Sequence, residues 1–146
     1  MDYQFLARFA RDTDGGYLVT FPDVPEAITQ GDDWTDAFAS ASDALGVALR
    51  GRLADGKALP APAAKGKGLV PVAVDAETAL KLAVIEAFRA SDMSKVEFAR
   101  RLGKSDNEPY RILDPDHATK LGLLQSALKV LGKQVVVSVH DVAQAA

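Results

Sequence analysis

The 146 residues carry 17 lysines and arginines against 20 aspartates and glutamates, a formal charge of −3, with 48% hydrophobic residues and no cysteine. This is the composition of one ordinary domain or two small ones, and no apolar run approaches the roughly 20 residues that span a bilayer. Without cysteine there are no disulfides or thiolate metal sites, and two histidines, His117 and His140, cannot build a zinc site alone, so no metal and no cofactor is expected.

The start, Met1-Asp2-Tyr3-Gln4-Phe5, has no basic, signal-like character, so the expected compartment is the cytoplasm, with no membrane partner. Residues 3–9 alternate, with Tyr3, Phe5, Ala7 and Phe9 on one face, as in a half-buried strand. Asp12-Thr13-Asp14-Gly15-Gly16 is a turn cluster, and Tyr17 to Phe21 alternates again, so the two runs form a β-hairpin. After Pro22 and Pro25, residues 27–31 make a short third strand. Asp33 caps a helix of about five turns, by the 3.6-residue period, whose apolar stripe is Trp34, Phe38, Ala41, Leu45, Ala48, Leu49 and Leu53. Residues 55–68, rich in Gly, Pro, Ala and Lys, read as a linker or mobile loop. Leu69 to Val74 is a short strand that either closes the first sheet or opens a second unit.

Asp75 caps the next helix, with Leu80, Ala83, Val84, Ala87 and Phe88 as its buried stripe. Three short helices follow, near 94–102, 107–113 and 119–131, the last stopping at Gly132. The β-branched run Gln134 to Val139 is expected to be a strand. It would pair across a two-fold axis with a second copy, or with residues 69–74 of its own chain. The expected class is therefore α+β: a small antiparallel-hairpin sheet with one packed helix over 1–74, then a helical unit over 75–146 that ends in a strand.

The stretch Ser94 to Ser105 has the marks of a helix-turn-helix. Ala99 is the small residue where two helices touch, and Gly103, four positions on, suits a turn with positive φ. Phe98 and Leu102 would face the core, and Ser105 with Glu108 has capping-box spacing. Residues 94–104 hold Lys95, Arg100, Arg101 and Lys104 against Glu97. On this reading Lys95, Arg100, Arg101, Lys104 and Lys120 hold phosphates, while Ser105, Asn107, Tyr110 and Arg111 lie toward the bases. Short helix pairs of this kind also occur in purely structural or protein-binding bundles. Asp106, Glu108 and Pro109 depart from a basic recognition segment, and Pro109 fits only the first turn of its helix.

Asp12, Asp14 and Asp23 raise the possibility of a two-metal nuclease, but turn chemistry accounts for them and no enzyme activity is expected. His117 could touch a phosphate, cap a helix or pack. Asp32, Asp33 and Asp36 beside Trp34 form the acidic corner of a net-negative first half, the charge-based candidate for a basic protein partner. Trp34 itself is expected in the core.

A family comes into view in Phe9-x-x-Asp12-x-Asp14-Gly15-Gly16-Tyr17-x-Val19-x-Phe21-Pro22-Asp23-x-Pro25, in Thr29-x-Gly31-Asp32, and in Ala41-x-Asp43-Ala44-Leu45. These resemble the HicB antitoxins, as does the part from Met93 to Val139 with Leu113-x-x-x-His117-x-x-Lys120-Leu121. The resemblance implies a partial ribonuclease-H-like first domain that binds a HicA-like toxin, a small basic protein that cleaves messenger RNA. It implies a second domain that binds operator DNA as a homodimer or higher oligomer. The alternative is a stand-alone helix-turn-helix regulator whose first domain senses a ligand.

Overall fold

The computed structural model describes residues 1–145. Four strands, β1 (Gln4–Arg11), β2 (Tyr17–Thr20), β3 (Ile28–Gly31) and β4 (Leu69–Ala73), form one antiparallel sheet in the order β3-β2-β1-β4. The alternation in β1 and β2 places Phe5, Ala7, Tyr17 and Val19 inward, and each is at most 9% exposed. The β1–β2 hairpin closes through Asp12 N–H to the Gly16 carbonyl at 2.8 Å, with Gly15 at φ 90°, a conformation that glycine adopts without steric cost.

Helix α1 (Trp34–Ala54) packs on the inner face of the sheet through Ala37, Ala41, Leu45, Leu49 and Leu53, all buried. Its start is fixed by Asp33, whose carboxylate accepts the Asp36 N–H at 2.8 Å. The turn into it is tight. A methyl built on Gly31 would lie 2.2 Å from the Ala37 nitrogen, so no side chain fits there.

Residues 57–66 have no regular structure but are anchored. Asp23 accepts the N–H groups of Ala63 and Ala64 at 2.9 and 2.8 Å, and Leu59 packs against the core. Of the two roles open to residues 69–74, the structure selects the first: β4 closes the first sheet by pairing with β1. As an edge strand it tolerates Pro71.

Four helices follow: α2 (Ala76–Ala90), α3 (Lys95–Leu102), α4 (Glu108–Ile112) and α5 (Leu121–Val130). The expected stripe of α2 is only part of what it buries. Leu82 and Ile85 join the core under the sheet, while Ala83, Val84 and Ala87 join a second core with Phe98, Ile112, Leu124, Ala127 and Leu128. Thus α2 serves both cores. Tyr3 reinforces the junction by donating its hydroxyl to Glu86 at 2.6 Å; burial, with the Glu86 carboxylate beside it, pushes the phenol pKa above its ordinary value. Arg89 donates to the Leu53 carbonyl at the end of α1 at 2.7 Å.

The expected strand at 134–139 is not formed. After Gly132, at φ 75°, ends α5, residues 133–145 have no regular structure and no ladder partners in the described chain. Val136, Val137 and Val139 are 85%, 80% and 90% exposed. A β-branched run becomes a strand only when it pairs with another edge, and this segment pairs with neither open edge of the sheet, β3 or β4.

Candidate functional site

Helices α3 and α4 are set by a few local features. Ser94 caps α3 by accepting the Glu97 N–H at 3.1 Å. Gly103 ends it in the left-handed region at φ 67°, ψ 31°. The bonds from Gly103 N–H to the Arg100 carbonyl and from Lys104 N–H to the Ala99 carbonyl close a Schellman turn. Phe98 and Ala99 are wholly buried, as is Ile112 on α4. Gly103, at a positive φ that other residues rarely adopt, lets the chain reverse between the two helices.

Helix α4 starts at Glu108 with Pro109 in its first turn, where a missing N–H costs nothing. The capping box expected from Ser105 and Glu108 does not form. Glu108 N–H bonds the Ser105 backbone carbonyl at 3.1 Å, and the Glu108 carboxylate turns to Arg111 at 2.6 Å. That guanidinium lowers the Glu108 pKa.

The cations expected to hold phosphates all lie at the surface. Arg100 and Arg101 both reach the Glu97 carboxylate, with Nε to oxygen distances of 2.9 and 2.8 Å. Those hydrogen bonds hold the Glu97 pKa at about 2. The Lys95 ammonium sits 4.6 Å from the centre of the Tyr110 ring, which is 62% exposed. Lys104 and Lys120 form no ion pair among the described residues. Ser105 and Asn107 are exposed in the turn before α4, and Tyr110 and Arg111 are exposed on it.

Beneath this face lies a residue that periodicity did not single out. Lys81 on α2 is 4% exposed. Its ammonium donates to the carbonyls of Arg111 and Ile112 at 3.2 and 2.8 Å and to the Thr119 hydroxyl at 2.6 Å. Burial lowers its pKa to about 8, opposed by the nearby Asp114 carboxylate. A lysine between Leu80 and Leu82 gave no cue in the sequence, because its role is to serve carbonyls from a distant helix. His117 is exposed at the rim of a polar cavity of about 180 Å³ that Lys81 also lines.

The acidic corner is differently occupied. Asp33 caps α1, and Asp36 accepts the Asp32 N–H at 2.9 Å. Of these three carboxylates, only that of Asp32 accepts no hydrogen bond among the described residues. Trp34 is half-buried, with its ring centre 4.5 Å from Phe9 and 5.4 Å from Tyr17. Its indole N–H donates to the Ala143 carbonyl at 2.8 Å, so the C-terminal segment returns to the sheet. A second groove, open to solvent and about 530 Å³ in volume, runs over α1 past Ile28 and Val47.

Among the described residues no cluster of His, Asp and Glu has metal-holding geometry, and no helix is long and apolar enough to cross a membrane. Asp12, Asp14 and Asp23 are not gathered into one site: Asp23 is committed to Ala63 and Ala64.

A family model described as the HicB-like antitoxin of a bacterial toxin-antitoxin system matches residues 4–83. "Antitoxin HicB" of Escherichia coli K12 is 37% identical over 122 residues, covering 84% of this chain and 88% of that protein. "Antitoxin HicB 1" of Photorhabdus laumondii is 36% identical over 127 residues, covering 87% and 81%. "Antitoxin HicB" of Pseudomonas fluorescens is 29% identical over 127 residues, covering 86% and 87%. The match runs from the β1–β2 hairpin into α2, and the relatives extend it over most of the chain. This chain belongs to the HicB antitoxin family of bacterial toxin-antitoxin systems.

Proposed function

We propose that this antitoxin neutralises a HicA-like, mRNA-cleaving toxin by direct binding through residues 1–74 and represses its own operon through residues 75–146. It works in the cytoplasm, by binding and not by catalysis. The observation that carries the repressor reading is the turn at Gly103, where buried Ala99 and a left-handed glycine set α4 beside α3 with Tyr110 and Arg111 outward. Helix-turn-helix proteins hold their second helix in the major groove by such a turn. Lys104 and Lys120, free of ion pairs among the described residues, are the readiest phosphate ligands.

One such unit covers one half-site, and a second copy supplies the other. The exposed valines of 134–139 are the dimer strand on this reading: they carry unpaired backbone and apolar side chains that a two-fold partner would cover. For the toxin, the free Asp32 carboxylate is the cleanest probe of the acidic corner, since reversing Asp33 or Asp36 also breaks the start of α1. A stand-alone regulator would share the DNA-binding half, but its sensing half calls for an enclosed ligand pocket, and the groove over α1 is open.

The test is binding of the full chain to a duplex from upstream of its own gene, read by fluorescence anisotropy. Tyr110→Ala should cut affinity for that duplex about 10-fold while changing binding to a scrambled duplex little. Equal losses on both duplexes would remove α4 from base reading.

A further inference from the structure

Three of the four ion pairs in the described chain fall on α3 and α4. Glu97 alone holds two guanidinium groups, Arg100 through both of its oxygens and Arg101 through one. The arginine side chains are 70% and 51% exposed and the glutamate 32%, so this is a solvent-facing arrangement. Glu108 holds Arg111 in the same manner one helix later, and Lys95 lies over Tyr110. Of the five cations on and between these helices, only Lys104 carries neither a carboxylate nor a ring among the described residues.

Exposed pairs at these spacings add little to helix stability. Their larger consequence falls on any ligand that needs the same guanidinium groups. Resting on the reading of this face as operator-binding, we propose that Glu97 is a specificity-determining residue, a built-in competitor for the DNA backbone that keeps Arg100 and Arg101 from gripping phosphates indiscriminately. A phosphate that takes either arginine exchanges one charge-assisted pair for another and leaves a carboxylate beside the DNA, so the net gain is small. Sequence-independent binding is thereby held down, and stable binding requires base contacts from α4. The spacing Ser94-x-x-Glu97 is that of a capping box, yet Ser94 caps the Glu97 N–H while the Glu97 carboxylate turns to the arginines.

The test uses the full chain, with Glu97→Gln as the variant; glutamine also suits this capping position. Anisotropy titrations against the upstream duplex and a scrambled duplex of equal length are run across a range of KCl concentrations. Glu97→Gln should bind the scrambled duplex about three- to tenfold tighter at 0.1 M KCl. Its salt dependence should steepen by about 0.9 for each arginine that gains a phosphate. Affinity for the upstream duplex should rise less, so that discrimination falls. The gain must vanish when Arg100→Gln and Arg101→Gln are added, which separates release of these arginines from the mere loss of a negative charge. A gain that survives in the arginine-free background, or no gain with wild-type binding intact, overturns the proposal alone. If neither protein binds either duplex, the operator reading fails and this inference with it.

Discussion

Replacing Lys81 by methionine tests how the second core is tied to the helices above it. The residue is 4% exposed, and its ammonium serves three acceptors at 2.6, 2.8 and 3.2 Å, two of them carbonyls of the α4 end. Bonds from a charged donor contribute about 1.5–3 kcal/mol each; at the low end, which suits a set that includes one bond as long as 3.2 Å, losing all three costs about 5 kcal/mol. Against that, the substitution removes the cost of burying the charge. The native-state pKa is about 8 against an ordinary 10.5, and at about 1.4 kcal/mol per pKa unit the relief is about 3 kcal/mol. The balance is a destabilisation of about 2 kcal/mol, or roughly 4–8 °C in Tm for a chain of this size. The sign of the pH effect follows from linkage: between pH 8 and 10.5 the unfolded lysine binds a proton that the folded one lacks, so wild-type stability gains as pH rises. Thermal melts of both proteins by circular dichroism, from pH 7 to 9.5, should show a lower Tm for Lys81→Met throughout. Wild type should pull further ahead of the variant above pH 8. A variant melting at or above wild type at pH 7 would refute the claim that this lysine is a structural tie.

Gly31→Ala should destabilise the protein by about 3 kcal/mol, because the new methyl meets the Ala37 backbone at 2.2 and 2.4 Å; an unchanged urea midpoint would contradict that close approach. Asp33→Ala should cost about 1 kcal/mol through loss of the α1 cap, checked by the same titration. Removing residues 133–146 should leave a monomer in light scattering where the full chain runs as the proposed dimer, since the exposed valines go with the segment. The same truncation removes the Ala143 carbonyl from the indole of Trp34, the only tryptophan, and should red-shift its emission; an unmoved spectrum would show that contact absent in solution.

What was legible in the sequence follows the range of the forces involved. The hairpin, α1 and the Asp33 and Asp75 caps rest on contacts within a few residues, and alternation or 3.6-residue spacing reveals them. The turn at Gly103 was legible for the same reason: a buried small residue and a positive-φ glycine are local demands. Helix α2 was half-read, since a single-stripe pattern does not describe a helix pressed between two cores, and Leu82, Ile85 and Lys81 lay outside the stripe. Propensity named 134–139 a strand, but strand formation needs a paired edge, and this segment pairs with neither β3 nor β4, the open edges of the sheet. The pairing of Glu97 with both arginines was within reach of the i,i+3 and i,i+4 rule, whereas the return of Ala143 to Trp34, across 109 residues, was not.

Capture of a toxin is the activity on which the rest of the proposed function depends. The direct measurement is size-exclusion chromatography with light scattering on the full chain mixed with a catalytically inactive form of the small basic protein encoded beside its gene. The full chain is needed because residues 1–74 alone would lack Leu82 and Ile85, which complete the core under the sheet. The expected result is a stable complex of defined mass that survives moderate salt and is weakened by Asp32→Lys. Separate elution of the two proteins at micromolar concentration would contradict it.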